Sequence, residues 1–148
     1  MSSVINSKPK LMSQQTMEQH LQAFLEAFVT KRYQADWVHK LTKSKPSDNL
    51  LLGMDALYRE LDMRYCKELP KGSAAQDIAF VRTALGPNKI LTGYVLSADE
   101  ALNRQTMPVA QALEMIVGRS NTSIISFAPG KLAYFEGHSV GERYLCVR

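Results

Sequence analysis

Apolar residues recur along the first third of the chain in two short helical stripes. Met17, Leu21, Phe24, Leu25 and Phe28 follow at spacings of four, three, one and three, which is one face of an amphipathic helix. Thr16 and Gln19 match the Thr-x-x-Gln form of a capping box and predict the helix start. Tyr33, Trp37, Val38 and Leu41 form a second stripe, which at about 100° per residue lies largely opposite the first. One straight helix would leave one set in water, so the pattern predicts a break near residues 30–32 and two short helices.

A connector follows over residues 44–48, where Pro46 bars the preceding residue from helix and Ser47 or Asp48 can cap the next one. Leu50, Leu51, Met54, Leu57, Tyr58, Leu61 and Tyr65 then predict a third helix, ended by the stretch 69–73. Beyond residue 73 the pattern shortens. Residues 78–85 read as a strand, with a short helix as the alternative because of the alanines. Residues 86–88 read as a turn and 89–97 as a strand in which Gly93 marks a bulge or a close approach of backbone. Ser97 and Glu100 form a second capping-box pair. A helix restarts at Thr106, with Val109, Leu113, Ile116 and Val117 as its buried stripe and Gly118 as its stop. Strands are expected over 123–128, 131–136 and 143–148, the first two joined by a type II turn at Pro129 and Gly130.

This order gives an α+β class: N-terminal helices packed on one face of a mostly antiparallel sheet of about five strands. The cystatin-like roll, with N-terminal helices across a curved sheet, is one architecture that such an order can fill, by analogy of fold alone. Residues 1–13 lack periodicity and read as a flexible arm, leaving 14–148 as a single domain. The chain of 148 residues is long enough to bury a core without metal or disulfide staples.

Composition narrows the class further. No run of about 18 apolar residues occurs, and the first ten residues lack the pattern of a secretory signal, so a cytoplasmic protein without a membrane partner is expected. Cys66 and Cys146 lie far apart among apolar or aromatic neighbours and are expected to be free thiols that pack. With no CxxC and no Cys/His cluster, no metal is expected. With no glycine-rich phosphate loop and no nucleophile elbow, no cofactor is expected either.

The net charge of +4 lies entirely in residues 1–45, where seven basic residues face three acidic ones. Lys31, Arg32, Lys40, Lys43 and Lys45 form a candidate patch for an acidic protein or nucleic acid, and Tyr33 and Trp37 between them could stack bases. Helical spacing with Val38 and Leu41 assigns those two aromatics more simply to the core. Among the histidines, His20 lies beside the first stripe and His39 within the basic stretch. His138 sits two residues from Glu136 in a loop between strands, where a carboxylate can orient an imidazole for acid–base work. Ordinary turn chemistry accounts for the same residues.

Three functions follow in order. The first is a non-enzymatic binding or accessory protein acting through a protein interface or an apolar pocket, dimeric through an open apolar sheet face with Ile124, Phe127, Tyr134 and Tyr144 as candidate residues. The second is a small enzyme with His138 and Glu136 in a pocket between helices and sheet. The third is a nucleic-acid-binding protein using the basic N-terminal third.

Overall fold

The computed structural model describes residues 10–45, 48–54, 56–86, 89–139 and 141–148. The expected arm over 1–9, the Pro46–Ser47 helix start and the turn at Pro87 and Asn88 lie outside the described residues. Residues 10–13, expected within the arm, are built into the fold. Lys10 and Leu11 form a short strand, and Ser13 caps the first helix by accepting the Thr16 N–H at 3.1 Å.

The first helix, α1 (Gln14–Phe28), stops at Val29, and α2 (Lys31–Thr42) starts after Thr30. The predicted break is therefore present, and the chain around residue 60 fastens it: Thr30 N–H donates to Glu60 O, Asp62 N–H donates to Phe28 O, and Val29 bridges Leu61. Leu21, Leu25 and Phe28 are fully buried and Phe24 nearly so; each such side chain contributes about 1.5–3 kcal/mol.

The helix expected after residue 48 is replaced by two 3-10 turns, Leu50–Gly53 and Leu57–Glu60. The buried positions explain the change. Leu51, Met54 and Leu57 recur every three residues, the repeat at which side chains eclipse in a 3-10 helix and not in an α-helix. Gly53 further weakens α-helix here.

The segment 78–85 is helical, within α3 (Ala74–Leu85). Its start is a complete capping box: Ser73 Oγ accepts the Gln76 N–H at 3.2 Å and Gln76 Oε1 accepts the Ser73 N–H at 2.9 Å. The remaining helix is α4 (Val109–Ile116).

The strands are β1 (Lys10–Leu11), β2 (Cys66–Glu68), β3 (Thr92–Ser97), β4 (Gln105–Pro108), β5 (Ser123–Ala128), β6 (Leu132–Glu136) and β7 (Arg143–Val147). They form one antiparallel sheet of seven strands, not about five, in the order β1-β4-β3-β5-β6-β7-β2. The two or three residues of β1 and β2 are too short to show a period of two, and these short strands form both edges of the sheet. At the β5–β6 hairpin Gly130 has φ +71° and Lys131 N–H donates to Ala128 O at 2.9 Å, as the predicted turn requires.

Helices lie on both faces of the sheet rather than one. Along each central strand alternate residues enter different cores. Leu96, Ile124, Phe135, Tyr144 and Cys146 pack with α1, α2 and the 3-10 turns. Val95, Ile125, Phe127, Tyr134 and Leu145 pack with α3 and α4. This accounts for the unbroken burial of β6, which a one-sided sheet would not show. The close approach predicted at Gly93 is where α4 meets the sheet: a Cβ there would lie 2.9 Å from Ile125 Cγ2 and 3.0 Å from Ala112 Cβ.

Candidate functional site

The four residues expected on an open sheet face do not share a face. Ile124 and Tyr144 belong to the α1 core, whereas Phe127 and Tyr134 belong to the α3–α4 core, and all four are buried. Their alternation with intervening apolar residues carried that signal, since a half-exposed strand would alternate with polar ones. The ground for expecting a homodimer across such a face is thereby removed.

His138 and Glu136 are not brought together as an acid–base pair. His138 is exposed, while Glu136 is fully buried and its carboxylate is already engaged. Glu136 accepts the Gly118 N–H at 2.8 Å, the Ser120 N–H at 2.7 Å and the Tyr134 hydroxyl at 2.6 Å. Arg143 lies 3.7 Å from the same carboxylate and donates to Asp77 at 2.5 Å. The network joins the start of α3, the end of α4, β6 and β7 beneath the α3–α4 core. Burial, and then the Glu136 charge, push the Tyr134 hydroxyl far above the usual tyrosine range. Burial works to lower the Arg143 guanidinium, but Asp77 and Glu136 more than offset it and hold it above its ordinary value. One guanidinium stands between two carboxylates, and backbone N–H groups and the Tyr134 hydroxyl satisfy the Glu136 oxygens from inside the fold, which is the arrangement of a structural network.

His20 is also internal. Its Nδ1 lies 2.8 Å from Ser126 Oγ and its ring stacks on Tyr94 at 3.9 Å. Burial lowers its pKa from the usual 6.5.

The five basic residues of the expected patch are all exposed but do not form one cluster. Lys31 and Arg32 stand at the N-terminal end of α2, where Arg32 lies 4.9 Å from the Tyr33 ring. Lys40 is nine residues further on, about 14 Å along the axis, and Lys43 and Lys45 follow it. The C-terminal set sits where the helix dipole favours cations; the N-terminal pair does not.

Trp37 and Lys40 are brought together, and they wall a cleft. Trp37 is buried, as helical spacing indicated, and its indole N–H donates to Glu60 at 3.0 Å. The Lys40 ammonium lies over the ring at 4.3 Å from its centroid. Opposite stands the 3-10 turn Leu50–Gly53. It is set by Asn49, whose Oδ1 accepts the Leu51 N–H and whose Nδ2 donates to Ser97 O and to Glu100. Between them is a cleft of about 430 Å³ lined by Trp37, Lys40, Asp48, Asn49, Leu50 and Met54. Its floor is apolar and its rim carries Lys40 and Asp48. Gly53 also borders it, and a Cβ at Gly53 would meet nothing within 4 Å. The 3-10 turn that shapes the far wall was not legible as such, although the three-residue repeat of Leu51, Met54 and Leu57 carries it.

Among the described residues no group of three or more His, Cys, Asp or Glu side chains is placed to hold a metal ion. No described helix is long and apolar enough to cross a membrane. Comparison with protein-family models, curated proteins and solved structures finds no match to this chain.

Proposed function

We propose that the protein is a non-enzymatic binding protein whose site is the cleft between α2 and the Leu50–Gly53 turn. The observation that carries the reading is the Lys40 ammonium held over the buried Trp37 ring at the mouth of an apolar-floored cavity. Such a site suits an apolar group attached to a negative charge: the group enters over Leu50 and Met54, and the carboxylate or phosphate meets Lys40. Lys43 and Lys45 follow on the same end of α2 and extend the positive field. An acidic peptide with an apolar anchor residue has this chemistry, and it is the partner class proposed here. The cytoplasm is the compartment proposed. We further propose that α1 with β3, β5, β6 and β7 is the portion comparable to a cystatin-like roll, to which α3 and α4 add a second layer.

Trp37 is the only tryptophan in the chain, so its fluorescence reports the site directly. The test is a titration with a peptide alternating glutamate and leucine, against a lysine–leucine peptide and a single-stranded oligonucleotide. A saturable fluorescence change with the acidic peptide alone is expected, weakening as salt is raised. Lys40→Glu should weaken it by about fivefold, the equivalent of roughly 1 kcal/mol. Gly53→Phe, which fills the cleft from a position with open space, should abolish it. An identical response in Gly53→Phe, or no response in the wild type, overturns the cleft as the site. A response to the oligonucleotide alone would move the function to nucleic-acid binding.

A further inference from the structure

Cys66 and Cys146 are distant in sequence but directly opposite one another in the structure, at register positions of the antiparallel pair β2–β7. The hydrogen bonds on either side fix the kind of pair. Val147 N–H donates to Tyr65 O at 2.9 Å, and Leu69 N–H donates to Arg143 O at 2.8 Å. Those bonds belong to the pairs one step and three steps away, so Cys66 and Cys146 form a non-hydrogen-bonded pair. In that setting the Cα atoms are about 4.5 Å apart and the side chains are at their closest. A disulfide needs a Cα separation of about 4.4–6.8 Å. Both side chains point into the α1 core, 2% and 0% exposed, so they also point the same way. Both are free thiols.

We propose that Cys66 and Cys146 are a redox dithiol that closes reversibly into a cross-strand disulfide by exchange with a small-molecule disulfide. The two cysteines have unequal access. Cys146 lies on β7, flanked by β6 and β2, whereas Cys66 lies on the three-residue strand β2 at the sheet edge, paired with β7 alone. A short edge strand opens at lower free energy than the strands it covers. Cys66 is therefore the attacking residue. Its Sγ also contacts Phe28 O at 3.6 Å, a weak hydrogen bond that local opening breaks readily. Burial, together with the neighbouring Cys66, raises the Cys146 thiol well above its ordinary pKa, which keeps it out of the first step.

The small-molecule disulfide is the oxidant and takes up both electrons. The Cys66 thiol loses a proton, its thiolate attacks one sulfur of the small-molecule disulfide, and one thiolate leaves. Cys146 then loses its proton, attacks the Cys66 sulfur of the mixed disulfide, and expels the second thiolate. The protein gives up two hydrogens and two electrons, and the reagent becomes two thiols. The second step is intramolecular between directly paired positions of β2 and β7, and β2 recloses once the second thiolate has left. The product covalently ties the edge strand β2 to its neighbour β7.

The test uses the wild-type full chain in native buffer, equilibrated with mixtures of reduced and oxidised glutathione. The reaction is quenched with acid, free thiols are alkylated in denaturant, and intact mass and peptide mapping follow. The expected result is concerted loss of both thiols with a linked 66–146 peptide pair and no retained glutathione. The ratio of oxidised to reduced protein should vary with oxidised glutathione over the square of reduced glutathione. Dithiothreitol should restore both thiols. In Cys146→Ala a single glutathione adduct should accumulate on Cys66, and in Cys66→Ala Cys146 should stay unmodified. Stable glutathione adducts on the wild type, disulfides only between chains, or two alkylatable thiols after native oxidation would each overturn the proposal. The wild-type measurement decides the matter even if a core substitution fails to fold.

Discussion

Removing the Glu136 carboxylate should destabilise the fold more than any single exposed change, because one buried group serves four partners. In Glu136→Ala the Gly118 and Ser120 N–H groups and the Tyr134 hydroxyl lose their common acceptor, and the Arg143 guanidinium loses a charge contact at 3.7 Å. Arg143 keeps its bond to Asp77, so the cost lies in the three donors left behind, the Tyr134 hydroxyl among them. Each donor left without a partner costs about 1–3 kcal/mol unless water enters the space. A loss of about 4–6 kcal/mol follows, which at about 2–4 °C per kcal/mol for a chain of this length lowers Tm by roughly 10–20 °C. Glu136→Gln keeps the shape but turns an amide donor towards other donors and should cost about 2–3 kcal/mol. Tyr134→Phe removes one bond and leaves the carboxylate its other partners, costing about 1–2 kcal/mol. His138→Ala, two residues away and exposed, should stay within about 0.5 kcal/mol. Urea unfolding at neutral pH, fitted with a common slope, measures all four. The reasoning fails if Glu136→Ala loses less than about 2 kcal/mol, or if Tyr134→Phe costs as much as Glu136→Ala.

Stability should fall as pH drops below about 6.5. The unfolded chain binds a proton on His20 near the usual 6.5 while the folded state resists until lower pH. The stabilisation is complete above 6.5 and is lost as pH falls towards the depressed folded value; His20→Gln should flatten that part of the urea-midpoint profile, and an unchanged slope would refute the assignment. Gly93→Ala should cost about 1–3 kcal/mol, because its Cβ must displace Ile125 or Ala112; a neutral result would show that α4 moves freely over the sheet. Gly118→Ala should cost at least as much: Gly118 has φ +82° and a Cβ would meet Ala74 Cβ at 2.6 Å, so its thermal melt should drop well below the wild type.

Legibility in the sequence tracked the length and regularity of each element. The α1 and α2 stripes and the strands β5, β6 and β7 are readable because each helix carries its own period and each strand its own apolar run over five residues or more. The apolar density of 78–85 resembles a strand, and the helical alternative is the one that forms, from a capping box that Ser73 and Gln76 spell out just upstream. The strands β1, β2 and β4 are held by their neighbours and not by local pattern, so two- to four-residue segments gave nothing to read. Of the candidate site, Trp37 and Lys40 were singled out from their spacing. The opposite wall is built by Asn49 reaching Ser97 and Glu100, and contacts across 48 and 51 residues of sequence leave no local trace.

The two faces of the sheet are stabilised by different physics, and this bears on where function can sit. Beneath α3 and α4 the Asp77–Arg143–Glu136–Tyr134 network fixes the ends of both helices through buried hydrogen bonds and the charge contact between Arg143 and Glu136. A shift there would strand several charges at once, which makes that layer rigid. Above the other face, α2 and the 3-10 turns rest on apolar contacts and on a few bonds from Asn49, Thr30 and Trp37. Apolar contacts are non-directional, and 3-10 turns have weaker hydrogen-bond geometry than helices, so this layer can adjust by small amounts at low cost. Binding segments are drawn from such adjustable layers held by a rigid scaffold. The cleft beside Trp37 lies in that layer, and the rigid α3–α4 face is the scaffold that holds the sheet beneath it.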